Sequence, residues 1–77
     1  MQITYTQHAL ARMTEPGISQ VEVEATLMQP QRTIAAQNGR TESQGWIERN
    51  GKRQLLRVLH EGALVVLVIN QANRNWL

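Results

Sequence analysis

The hydrophobic period of the chain changes once, near Pro30, and that change decides the fold class. Upstream of it, apolar residues recur at helical spacing; downstream they alternate with polar ones or run together, as they do in strands. Helices first and strands afterwards do not make repeating β-α-β units. They make an α+β domain in which helices cover one side of a sheet. With 77 residues the chain has room for a single domain, 1–77, and no separate cofactor-binding domain. A core this small is thin. The chain also has no cysteine, so a disulfide framework and a Cys-based zinc site are excluded. The fold must be held by packing alone, or by packing with an oligomer or a partner.

The local signals give the order β-α-α-β-β-β-β. Gln2 to Tyr5 alternates and reads as a short strand with Ile3 and Tyr5 on one face. Thr6 is placed to cap a helix over Gln7 to Met13, whose apolar stripe is Ala9, Leu10 and Met13. Pro16-Gly17 ends it. Ser19 and Glu22 form a capping-box pair at the start of a second helix, expected to run to about Met28 and to bury Ile18, Val21, Ala25 and Met28. Pro30 closes that helix at Gln29. Strands follow over Arg32 to Gln37, Arg40 to Arg49, Arg53 to His60 and Ala63 to Asn70. Asn50-Gly51 between the second and third of these is the favoured pair for a tight type I′ hairpin. The last strand is apolar on both faces and should lie centrally. Asn70 to Leu77 reads as a tail anchored by Trp76. The expected fold is therefore two N-terminal helices packed on one face of a mostly antiparallel four-stranded sheet, with a short N-terminal strand.

The longest apolar run, Ala63 to Ile69, is far shorter than the ~20 residues a membrane span needs, and the first residues lack the features of a signal peptide. A cytoplasmic protein with no membrane contact is the expectation. Charge divides unevenly. Residues 1–31 set Arg12 against Glu15, Glu22 and Glu24. Residues 32–77 set Arg32, Arg40, Arg49, Lys52, Arg53, Arg57 and Arg74 against only Glu42, Glu48 and Glu61. Arginine suits bidentate phosphate contact, so a basic C-terminal half points to a polyanion. Arg49, Lys52, Arg53 and Trp46 are the candidate nucleic-acid contacts, with Trp46 available to stack a base or to fill the sheet.

Candidate chemistry sits on the first helix. His8 and Arg12 are four apart and share a face. Histidine titrates near neutrality and moves protons; arginine holds developing negative charge. The plain alternative is a polar helix shoulder. In the third strand Arg53, Leu55, Arg57 and Leu59 share one face, while Gln54, Leu56, Val58 and His60 share the other. The first set suits a groove for a flexible phosphodiester, or simply a solvated sheet face. The two histidines and scattered glutamates lack metal-ligand spacing, and neither a Gly-rich phosphate loop nor a nucleophile elbow is present. No metal or cofactor is expected.

The segment His8-Ala9-Leu10-Ala11-Arg12-Met13, followed by Gly17-Ile18-Ser19 and Val21-Glu22-Val23-Glu24 before Pro30, resembles a small bacterial family of unknown function with an H-A-x-x-R-M helix motif. The likeness extends through Gly51-Lys52-Arg53 and Leu55-Leu56-Arg57-Val58-Leu59. That family is similar to the RelE/ParE-like toxins and the metal-independent ribonucleases that include barnase and the colicin RNases. The resemblance implies a RelE/ParE-like fold with an RNA-cleaving face, and it selects His8, Arg12 and Arg57 as catalytic. The chain departs from the family pattern at Pro16, where arginine is common, and at Ile69-Asn70-Gln71, where threonine and an aromatic are common.

Metal-independent RNA cleavage needs a base for the 2′-hydroxyl, an acid for the leaving oxygen and cations for the phosphorane. His8 supplies one proton-transfer group; Glu48, Tyr5 and His60 compete for the other. The first functional expectation is a toxin-like small bacterial protein of ribonuclease fold that acts on or binds RNA, or the ribosome, as a metal-independent endoribonuclease if it is catalytic, with an antitoxin or another protein as partner. The alternative is a catalytically inert interaction module of the same fold that binds a protein or nucleic acid. Homo-oligomerisation is a further expectation, through pairing of sheet edges.

Overall fold

The computed structural model describes residues 2–72. Its elements are β1 (Thr4–Tyr5), α1 (Gln7–Thr14), α2 (Gln20–Met28), β2 (Arg32–Ala35), a 3-10 turn (Gln37–Gly39), β3 (Thr41–Arg49), β4 (Lys52–Glu61) and β5 (Leu64–Ala72). Trp76, the expected tail anchor, lies outside the described residues. None of the described helices is long and apolar enough to cross a membrane.

Side-chain caps set the helix starts. Thr6 Oγ1 accepts from the Ala9 N–H at 3.0 Å, and its hydroxyl donates to the Val66 carbonyl at 3.0 Å, tying the start of α1 to β5. At α2 the capping box is complete: Glu22 N–H donates to Ser19 Oγ at 3.1 Å, and Ser19 N–H donates to Glu22 Oε1 at 2.9 Å. The sheet runs β1-β5-β4-β3-β2, with β1 parallel to β5 and every other pair antiparallel. Asn50 and Gly51 both take positive φ, 54° and 74°, as a type I′ turn requires, and they set Arg49 opposite Lys52.

Both helices pack on one face of this sheet. Ala9 and Met13 of α1, Ile18, and Val23 of α2 meet Leu56, Val58, Val65 and Val68, with Ile3, Tyr5, Leu27 and Ile47 packed around them. The expected architecture holds, with the N-terminal strand as a fifth member.

Four details differ from expectation. The buried stripe of α2 is Val23 and Thr26, joined by Leu27, whereas Val21 is 76% exposed, Met28 71% exposed and Ala25 also exposed. Gly45 on β3 explains the choice. Lacking a side chain, it lets Thr26 settle on the sheet, and a Cβ there would lie only 3.1 Å from Thr26 Oγ1. Thr26 in turn donates to the Glu22 carbonyl at 2.9 Å, so its hydroxyl is satisfied without water. Leu10 is turned outward, 41% exposed, because Ala9 and Met13 already occupy the covered side of α1. The strand at Arg32 stops at Ala35, where the 3-10 turn begins. Finally, β4 rather than β5 is the middle strand, since β1 pairs with β5 only at Leu64 and Val65.

A bulge also interrupts β5. Leu59 pairs with Leu67 and His60 with Val65, leaving Val66 as the extra residue. Val65 and Val68 therefore both face the helices although they are three apart.

Candidate functional site

Strand parity divides the side chains between two environments. Leu56 and Val58 of β4 are fully buried beneath the helices, so Arg53, Leu55, Arg57 and Leu59 point to the opposite face. The pairing adds Glu42, Gln44, Trp46 and Glu48 from β3 to that face, and Leu67, Ile69 and Gln71 from β5. None of the described helices crosses it. We call it the open face.

His8 and Arg12 stand on exposed positions of α1, on the helix-covered side. Arg12 lines a small cleft of about 220 Å³ with Glu15, Pro16, Val68, Ile69 and Asn70. Arg57 belongs to the open face. The helix that carries His8 and Arg12 thus lies on one side of the sheet and Arg57 points to the other, while the Arg12 cleft reaches as far as Ile69, the β5 partner of Arg57.

Arg57 is moreover fully engaged. Its Nε donates to Glu42 Oε2 at 2.8 Å, Nη2 to Glu42 Oε1 at 3.2 Å and Nη1 to Gln71 Oε1 at 3.4 Å. Gln44 Nε2 donates to the same carboxylate at 2.6 Å. This bidentate pair holds the Glu42 carboxyl below its ordinary range despite the opposing effect of burial, and it holds Arg57 above its own. A hydrogen-bonded row of four side chains, Gln44, Glu42, Arg57 and Gln71, thus crosses β3, β4 and β5.

The candidate nucleic-acid contacts are also divided. Arg53 stacks over the Trp46 ring, 4.6 Å from its centroid, on the open face. Arg49 turns to the helix side, where it donates to the Gly17 carbonyl and pairs with Glu22 at 3.1 Å. Lys52 is exposed at the hairpin end, opposite Arg49. Arg40 pairs with Glu61 at 3.9 Å. Arg40, Arg49 and Arg57 are therefore ion-paired within the fold, Arg49 alone with a carboxylate from the N-terminal half.

Of the three competitors for the second proton-transfer role, Glu48 lies on the open face opposite Arg53. Tyr5 donates to Glu24 Oε2 at 3.2 Å, and burial, with the adjacent Glu24 charge and this bond, pushes its pKa up to about 12. Neither stands with His8 and Arg57 in a common cleft. His60 makes a contact that sequence reasoning missed: its Nε2 is 2.7 Å from Ser43 Oγ and its Nδ1 is 2.9 Å from the Gly62 carbonyl. The carbonyl can only accept, so it fixes the proton on Nδ1 and leaves Nε2 to accept from the serine. Ser43 is only 2% exposed and does not line the cleft beside Arg12. The pair satisfies a buried hydroxyl and braces the β3–β4 ladder.

Glu42 was the other residue missed, although the signal was present. The two-residue turn at Asn50-Gly51 fixes the register and places Gln44 opposite Arg57, with Glu42 one position diagonal on the same face. Among the described residues there is no group of three acidic, histidine or cysteine side chains able to hold a metal ion. Comparison with known proteins finds no matching family model, no matching curated protein and no matching solved structure.

Proposed function

We propose that this protein is an interaction module whose working surface is the open sheet face, and that its partner there is a protein. The observation that carries the reading is the separation of His8 and Arg12 from Arg57 by the sheet, with Arg57 closed onto Glu42. A phosphorane needs proton-transfer groups and cations around one reacting atom, within hydrogen-bond reach. This arrangement does not supply that. The open face instead offers Leu55, Leu59, Leu67 and Ile69 together, flanked by Trp46 and two arginines. Interface centres are rich in aromatic residues and arginine, which the open face supplies in Trp46, Arg53 and Arg57, and its two glutamates, Glu42 and Glu48, each stand beside one of those arginines.

The resemblance to RelE/ParE-like toxins enters the proposal as a kinship of fold without the ribonuclease chemistry, and the departures at Pro16 and Asn70 agree with that. Incubation of the purified protein with labelled single-stranded RNA, with and without ribosomes, tests it. The RNA should remain intact with wild type and with His8→Ala/Arg12→Ala alike. Cleavage by wild type that the double variant loses overturns the proposal and restores the nuclease reading.

A further inference from the structure

We propose that the occupant of the open face is a second copy of this chain, packed sheet against sheet to give a symmetric dimer. The inference rests on the interaction-module reading and names its partner.

Three observations converge on a like partner. The first is the apolar patch. Leu59 and Leu67 are directly paired across β4 and β5, Ile69 is paired with Arg57, and Leu55 continues the row on β4. They are adjacent side chains on neighbouring strands, and sheets bury such faces against another layer. The helices supply that layer on one side only.

The second is charge. Glu42 and Arg57 neutralise each other within the face, Glu48 stands opposite Arg53 in the register, and Arg32 of β2, opposite Gln44, adds one further positive charge at the β2 margin. Both signs alternate over a short distance and the strongest pair is closed. A nucleic acid or a strongly charged protein gains little from such a surface. A partner with the same balanced pattern meets it without a large unpaired charge at the centre, and an identical copy has that pattern by construction.

The third is size. Strands β3, β4 and β5 have 9, 10 and 9 residues, and β2 adds a short fourth. Strand spacing of about 4.8 Å and a rise of about 3.3 Å per residue give a flat footprint on the order of 500 Å². Side-chain relief raises the accessible area above the flat value, toward the roughly 800 Å² per partner of a stable interface. A small domain without disulfides has most to gain from such an added layer.

The exposed stripe of α2, Val21, Ala25 and Met28, is the competing surface and supplies the control. Sedimentation equilibrium over a wide concentration range should show wild type passing from 8.8 kDa to twice that mass. Leu59→Glu/Leu67→Glu should remain at the monomer mass, weakening association at least tenfold, while Val21→Glu/Met28→Glu should dimerise like wild type. Because Leu59→Glu/Leu67→Glu can also disturb folding, a second measurement uses the absence of cysteine. Leu59→Cys should be joined to its counterpart by a short bis-maleimide able to span the about 10 Å between packed sheets, and Val21→Cys should not. Wild type monomeric throughout overturns the dimer while leaving the interaction-module reading to the RNA assay. A dimer abolished by the α2 variant, or cross-linked through position 21 and not 59, also overturns it.

Discussion

Replacing Val23 by alanine should cost about 2 kcal/mol of stability, whereas the same replacement at Val21, two residues earlier in the same helix, should cost nothing. Val23 is 0% exposed, packed in the cluster that includes Leu56 and Val65. Removing its two methyl groups loses about 1.6 kcal/mol of transfer free energy at ~0.8 kcal/mol per buried group. Incomplete closure of the resulting cavity adds up to about 1 kcal/mol. The higher helix propensity of alanine offsets roughly 0.5 kcal/mol. Val21 is 76% exposed, so only the propensity term remains, and Val21→Ala should be neutral or slightly stabilising. In a domain of this size each kcal/mol moves the melting temperature by about 4–8 °C. Val23→Ala should therefore melt about 10 °C lower, and Val21→Ala within about 4 °C of wild type. Circular-dichroism melts and urea titrations at matched protein concentration measure both. Equal losses at the two positions would refute the orientation of α2. A loss at Val21 that grows with protein concentration would put the α2 stripe in an interface and count against the open face as the dimer surface.

Gly45→Ala should destabilise by about 1 kcal/mol, because the new methyl lies 3.1 Å from Thr26 Oγ1 and 3.3 Å from Thr26 Cγ2, and this strain exceeds the gain from a stiffer unfolded backbone. A double-mutant cycle with Thr26→Ala should recover at least half of the loss; additive effects would refute the contact. The alkaline limb of stability should depend on Tyr5. Its pKa is raised from 10.0 to about 12, so the native state keeps a proton that the unfolded chain releases. The contribution is complete below pH 10.0 and declines as pH rises toward about 12. Urea midpoints of wild type should fall across that window more steeply than those of Tyr5→Phe, and parallel curves would refute the assignment.

The helix starts, the hairpin and the two-faced β4 were legible because each is fixed within a few residues of sequence. Thr6, the Ser19–Glu22 pair and Pro30 act on the backbone beside them, and Asn50-Gly51 takes at low cost the two positive φ values of a type I′ turn. The buried side of α2 was not legible. Val21, Val23, Ala25, Leu27 and Met28 put apolar groups around much of the helix, and the contact that decides among them, Thr26 on Gly45, joins residues far apart in the chain. The Val66 bulge was hidden for a related reason: Leu64 to Ile69 is apolar throughout, so no alternation exists from which a shift in parity can be read. The Glu42–Arg57 pair was available from the hairpin register. Counting charge by halves of the chain obscured it, because pairing across strands follows register and not composition.

Parity also explains why Arg57 and the pair on α1 face different sides of the sheet. A side chain on α1 meets strand residues of the covered parity or residues near the free side of β5. Arg12 does the latter, sharing its cleft with Val68, Ile69 and Asn70. Arg57 lies between Leu56 and Val58, both 0% exposed, so its direction is set by theirs. No rotamer carries its guanidinium through the sheet. Only a one-residue slip of β4 would, and that slip would turn Leu56 and Val58 into solvent at about 1.5–3 kcal/mol each while driving Arg53 and Arg57 beneath the helices without their carboxylate partners. Together these losses rival the whole stability of a small domain. The covered side and the open side are therefore separate surfaces of the sheet. The His8 and Arg12 pair on α1 and Arg57 on β4 here belong to two different surfaces.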